Sequence, residues 1–118
     1  MIAVARERRV GVDIEEAARA GFDWRDLAAP VLSEGDRRAL DALPEGARVG
    51  AFLECWTAKE AVLKAHGAGI GGGIIPMNAF SVLPRDGVRF AVEGKAGAFA
   101  AISLAAPAGY AAALAWSA

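Results

Sequence analysis

Two short stretches of this chain hold side chains whose types and spacing suit chemistry on phosphate. Val12-Asp13-Ile14-Glu15 supplies two carboxylates, and Trp56-Thr57-Ala58-Lys59-Glu60-Ala61-Val62-Leu63-Lys64 supplies a third carboxylate and two lysines. Carboxylates are hard oxygen ligands for Mg²⁺, which takes one or two of them alongside substrate phosphate oxygens. Lysine ammonium groups bind phosphate as point charges. A cleft that gathers both is equipped for a phosphorylated substrate.

Spacing decides whether they meet. Asp13 and Glu15 stand two apart, so on a strand they share a face with Cα atoms roughly 6.5–7 Å apart. Taken alone, such a pair is an ordinary solvated strand face. Trp56, Glu60 and Lys64 stand at i, i+4 and i+8 and form one stripe on a helix. Alone, Glu60 and Lys64 read as a surface ion pair worth about 0.3–0.5 kcal/mol. The stripe begins at a tryptophan and borders the apolar face, which puts Glu60 and Lys64 at the edge of the core. Lys59, one position round, is expected to reach the same edge.

The elements that must position these groups follow from periodicity. Arg9 to Glu15 alternates, with Val10, Val12 and Ile14 on one face and Gly11, Asp13 and Glu15 on the other, the pattern of a half-buried strand. A short helix is expected after Asp23, and another from Arg37 to Leu43, begun by Ser33 and Asp36 and stopped by Pro44. The strongest helix runs from about Ala47 to His66. Phe52, Cys55, Trp56, Lys59, Val62, Leu63 and His66 recur there at three- and four-residue spacing. Gly67 suits its C-cap. A glycine-rich loop, 69–73, follows and closes at Pro76. Two hairpins complete the chain: Phe80–Leu83 with Val88–Val92 around Pro84-Arg85-Asp86-Gly87, and Phe99–Leu104 with Tyr110–Trp116. The expected architecture is a single α+β domain over residues 1–118, with a mainly antiparallel sheet packed against one long helix.

Bulk composition narrows the function. At 118 residues and a net charge of −1, the chain carries no global field for nucleic acid or membrane. No apolar run reaches the ~18 residues that span a bilayer, and Met1 to Arg9 lacks the apolar core of a secretion signal. One cysteine, Cys55, permits no intrachain disulfide, and a cytoplasmic setting is expected. Cys55 reads as a small core residue. The lone His66 ends the long helix, as a cap favoured by the dipole or as a general base. Two of the three lysines lie in the helix motif. The glycine run follows a helix instead of preceding one, so it is not a phosphate loop.

Together these residues resemble the 4′-phosphopantetheinyl transferase superfamily. Its signatures are a G-[VI]-D-[IVL] strand and a [WF]-[TSA]-x-K-E-x-x-x-K helix followed by Gly-x-Gly. Here they stand as Gly11-Val12-Asp13-Ile14 and Trp56 to Lys64, then Gly67-Ala68-Gly69. Phe80-Ser81-Val82 and Pro107-Ala108-Gly109-Tyr110 look like the family's closing strands. The resemblance implies transfer of 4′-phosphopantetheine from coenzyme A to a serine of an apo carrier protein, with release of 3′,5′-ADP. It further implies Mg²⁺ on Asp13, Glu15 and Glu60, phosphate on Lys59 and Lys64, and Glu60 or a metal-bound water as acceptor of the serine proton. Gly67 and Gly69 would approach the substrate, Trp56 would pack the helix onto the sheet, and Arg19 matches an arginine that meets the acidic carrier.

The length is that of the short class, the holo-acyl-carrier-protein synthases, which are trimers. The motifs look like the second half of the two-halved class. Either way a second subunit must complete the coenzyme A pocket, so a homo-oligomer is expected, trimer before dimer. The competing readings are a catalytically silent half-domain that binds a carrier protein or partner subunit, and a generic Mg²⁺-dependent phosphate binder.

Overall fold

In the computed structural model, residues 9–16, 23–67 and 75–117 are described. Strand β1 (Val10–Glu16) leads to a 3₁₀ turn (Trp24–Leu27) that continues into the short helix α1 (Ala28–Val31). Helix α2 (Glu34–Asp41) and the 23-residue helix α3 (Glu45–Gly67) follow. After a 3₁₀ turn at Met77–Ala79 come β2 (Phe80–Ser81), β3 (Arg85–Asp86), β4 (Arg89–Phe90), β5 (Glu93–Gly94), β6 (Phe99–Leu104) and β7 (Tyr110–Ser117). The main sheet has the order β1-β7-β6-β4-β3, and β2 pairs with β5 separately; every pairing is antiparallel. The expected α+β architecture is the one observed.

The long helix and the C-terminal hairpin run as periodicity predicts, within one or two residues at each end. The preceding hairpin is more broken. Its trajectory holds, but the pairing splits into Phe80–Ser81 with Glu93–Gly94 and Arg85–Asp86 with Arg89–Phe90. The turn lies at Gly87-Val88, where Gly87 has φ of +58°, a left-handed backbone that glycine adopts without steric cost. Helix α2 starts at Glu34, three residues earlier than expected, because a capping box holds it. The Ser33 hydroxyl accepts from the Asp36 N–H (3.1 Å) and the Asp36 carboxylate accepts from the Ser33 N–H (3.0 Å).

Strand β1 is half-buried, as its alternation predicts, and its buried face is the one that carries Gly11 and Asp13. Gly11 and Asp13 are the buried residues, while Val10 and Val12 are half-buried and Ile14 is exposed. The reason is the close approach of α3. Beside Gly11 and Asp13, the inner sheet face carries Ala101, Ala113 and Ala115, all fully buried. The facing helix carries Ala58, Ala61 and Ala65, also fully buried. Small residues on both sides let the backbones come together. A Cβ on Gly11 would lie 2.1 Å from the Ala61 carbonyl oxygen and 2.5 Å from the Ala65 nitrogen. Large apolar side chains are therefore displaced to the outer face, where Val12, Ile14, Ile102, Leu104, Leu114 and Trp116 stand in register. The rest of the core lies across α3, where Phe52, Cys55 and Val62 meet Val31, Leu40, Phe80 and Val82. No helix among the described residues is long and apolar enough to cross a membrane.

Candidate active site

The seam between β1 and α3 brings the two motifs together. Asp13 is 7% exposed and faces the helix. The Lys64 ammonium donates to Asp13 Oδ1 at 2.6 Å and to the Val12 carbonyl at 3.2 Å. Glu15, on the same strand face, is half-buried. One turn before Lys64, half-buried Glu60 accepts a hydrogen bond from the Trp56 indole N–H at 3.2 Å. Trp56 is half-buried and packs against the core. It stacks beside Phe52, with ring centroids 6.2 Å apart, and Phe52 in turn meets Trp24 at 5.3 Å. Its contribution to the site is to hold the Glu60 carboxylate through the indole N–H.

Lys59 is the clearest departure. It was expected on substrate phosphate, yet it is fully buried. Its ammonium donates to the carbonyls of Val31, Met77 and Phe80, each at 2.7 Å, and to Asp36 Oδ2 at 2.6 Å. With its hydrogen-bonding capacity spent on four oxygens, Lys59 is an anchor joining α3 to α1, α2 and the segment before β2. Asp36, which the sequence reading took only for a capping residue, is the counter-ion. Its other oxygen accepts from the Val82 and Leu83 N–H groups at 3.0 and 3.1 Å. Burial alone would raise its carboxyl, but the Lys59 ammonium and the backbone donors outweigh that and hold it below the ordinary carboxylate value. Burial and the neighbouring Asp36 charge push the Cys55 thiol far up, so Cys55 is an inert core residue as expected.

Gly67 ends α3 and is exposed. His66 packs edge-on against Phe99, with centroids 5.8 Å apart, and its carbonyl accepts from Arg9 at 3.3 Å, which satisfies one of the last carbonyls of the helix. Arg19 and Gly69, and with them the 69–73 loop as far as Ile74, lie outside the described residues.

The donor set for a metal is oxygen throughout, which suits a hard divalent cation. Asp13 Oδ2 is buried and has no hydrogen-bond partner among the described residues, the mark of an oxygen that lacks a positive group. Asp13 therefore fits a metal ligand. The three-acid cluster expected from the motifs is not assembled. Among the described residues, no three His, Cys, Asp or Glu side chains stand close enough to hold a metal ion. Lys64 sits on Asp13, and Trp56 holds Glu60.

Comparison with known proteins places this chain in a family. The profile of the 4′-phosphopantetheinyl transferase superfamily matches residues 9–115. The 4′-phosphopantetheinyl transferase AcpT of Salmonella typhi is 39% identical over 61 residues, which cover 52% of this chain and 31% of that protein. The chain thus spans about a third of the curated relatives it matches. Among solved structures, the complex of the synthase ACPS from Chronobacterium ammoniagenes with coenzyme A superposes with a TM-score of 0.65. It is 24% identical, and the match covers 94% of this chain and 96% of that one. A holo-(acyl-carrier-protein) synthase from Bacillus anthracis, in complex with CoA (3′,5′-ADP), reaches 0.69 at 20% identity, covering 92% and 93%. At these identities the superpositions speak for the fold.

Proposed function

The chain belongs to the 4′-phosphopantetheinyl transferase superfamily, and from that premise we propose that it transfers 4′-phosphopantetheine from coenzyme A to a serine of an apo carrier protein. The observation that carries this reading is the ion pair between Asp13 of β1 and Lys64 of α3, one helical turn from Glu60. In the reaction, the serine oxygen forms a bond to the pantetheine-side phosphorus. The bond from that phosphorus to the bridging oxygen of the pyrophosphate breaks, and 3′,5′-ADP leaves with the electron pair. The serine proton passes to a base, for which Glu60 is the candidate.

Asp13, Glu15 and Glu60 would hold Mg²⁺, which when bound supplies charge neutralisation for the pyrophosphate. Lys64 is the one motif lysine with an exposed side chain, 53% accessible, and is the candidate for phosphate oxygens in the transition state. Lys59 has no such role, and its part is to fix the helix that carries Glu60 and Lys64.

The outer sheet face is the proposed contact between copies of the chain. Ile14 and Tyr110 are 42% and 43% exposed, and Val12, Ile102, Leu104, Leu114 and Trp116 are half-buried beside them. A trimer that covers this face would let one subunit complete the nucleotide pocket of the next.

The test is to incubate the protein with coenzyme A, Mg²⁺ and an apo carrier protein and to weigh the carrier by mass spectrometry. A gain of one phosphopantetheine that disappears in Glu60→Ala is the expected result. A second reading, a silent half-domain that binds a carrier or partner, is favoured by the unassembled carboxylates. It predicts carrier binding with no mass gain.

A further inference from the structure

We propose that Lys64 is the resident cation of the carboxylate site, held on Asp13 until a divalent ion takes that oxygen and released toward phosphate by the exchange. This rests on the metal-dependent reading above and specifies the order of events at the same site. Asp13 is a carboxylate with a side chain 8% exposed, and a buried carboxylate is costly unless a positive group faces it. Lys64 is that group, at 2.6 Å from Oδ1, while Oδ2 has no partner among the described residues. Lys64 already occupies one oxygen of Asp13, so a divalent ion held by that carboxylate would stand within reach of the Lys64 ammonium. An ammonium and a dication repel and compete for the same oxygen.

The lysine is built for the exchange. Among the described residues only the Val12 carbonyl, at 3.2 Å, holds it besides Asp13, and its side chain is half exposed. Its flexible four-carbon stem ends in a compact, well-hydrated charge that gives up one partner for another readily. Lys59 shows the contrast: it is fully buried with four oxygen partners and cannot exchange. Two consequences follow. Without the ion, Asp13 keeps a counter-charge and β1 stays on α3. With the ion, Lys64 becomes available to phosphate, so the phosphate-binding charge is released only when the metal is in place.

The test reads Lys64 directly. The three lysines of the wild-type protein are labelled by brief reductive methylation and quantified by peptide mass spectrometry, without and with saturating Mg²⁺. Lys95 is exposed and serves as the internal control. Ion binding is measured separately with Mn²⁺ by electron paramagnetic resonance. Labelling of Lys64 is expected to rise several-fold with Mg²⁺ while Lys95 is unchanged, and Asp13→Asn should label that fast without the ion. Lys64→Met should bind Mn²⁺ at least ten-fold more tightly than the wild type. If Mn²⁺ binds but Lys64 labelling stays level or falls, the exchange is overturned and the metal-dependent reading survives. If Mn²⁺ binds neither wild type nor Lys64→Met, both are overturned.

Discussion

Replacing Gly11 by alanine tests the geometry on which the site depends. Its Cβ would stand 2.1 Å from the Ala61 carbonyl oxygen, 2.5 Å from the Ala65 nitrogen and 2.9 Å from the Lys64 Cβ. The first two atoms are the acceptor and donor of one i to i+4 hydrogen bond of α3, so the methyl would press on a closed helical turn. Heavy atoms rest at about 3.5–4.0 Å, so strand and helix must part by more than about 1 Å. Neither side is a flexible side-chain tip that could swing away. Overpacking costs about 1–3 kcal/mol, and backbone against backbone puts this substitution at about 3. For a chain of this size that lowers Tm by about 10–15 °C. Because β1 pairs with β7 along its whole length, the shift carries to Asp13 two residues on. A misplacement of about 1 Å in a catalytic group costs about 100-fold in rate. Thermal unfolding followed by circular dichroism reads the first effect, and carrier mass gain reads the second. Gly50→Ala is the control, since a Cβ there meets nothing within 4 Å. It should be neutral or stabilise by up to about 1 kcal/mol, as for glycine in a helix interior. A Gly11→Ala protein within about 0.5 kcal/mol of wild type and equally active would refute the argument from close packing.

Three further outcomes follow from the same structure. Lys59→Met leaves Asp36 buried without its cation and should cost about 3–5 kcal/mol in urea unfolding, where a surface lysine would cost almost nothing. Asp36 contributes a defined pH dependence. Its folded value lies below its unfolded one, so its stabilisation is complete above the unfolded value near pH 4 and is lost as pH falls through the folded value. The stability gap between wild type and Asp36→Asn, measured by urea unfolding from pH 7 to 3, should therefore narrow on acidification; a constant gap would contradict the assignment. Leu114→Glu puts a charge in the middle of the outer sheet face and should convert the proposed oligomer to a smaller species on a sizing column, with the circular dichroism spectrum unchanged; equal elution of variant and wild type would contradict the proposed contact.

The long helix, the first strand and the C-terminal hairpin were legible because their apolar residues repeat at clear periods. Which side of β1 is buried was not. Alternation assigns residues to two faces but does not say what each face meets. The preference of valine and isoleucine for interiors pointed to Val10, Val12 and Ile14, whereas the tight seam with α3 selects glycine and alanine. The sequence carried a signal for this in the alanines spaced at 58, 61 and 65 on the helix and at 111, 113 and 115 on the last strand. Matched small residues on two amphipathic elements indicate backbone approach, not weak burial. The capping box at Ser33 and Asp36 was visible as a helix start. Its second role was not, because nothing local ties Asp36 to a lysine 23 positions later (59 − 36).

The two lysines show how far the helix motif can be resolved by angle alone. Each residue turns the helix by about 100°, so Lys59 and Lys64, five apart, point about 140° away from one another. They cannot serve one phosphate site from a straight helix. Lys59 lies in the stripe of Cys55 and Val62, both fully buried, and a lysine in that stripe must find oxygens inside the protein or not fold there. Glu60 and Lys64, about 40° apart, share the rim next to β1. The K-E-x-x-x-K pattern therefore joins two devices. The first lysine fixes the helix against α2 and the segment before β2, and the second lysine, one turn beyond the glutamate, meets Asp13. Mutating the first should act on stability and carry activity with it; mutating the second should act chiefly on activity, with a smaller cost in stability because Asp13 loses a partly exposed counter-charge.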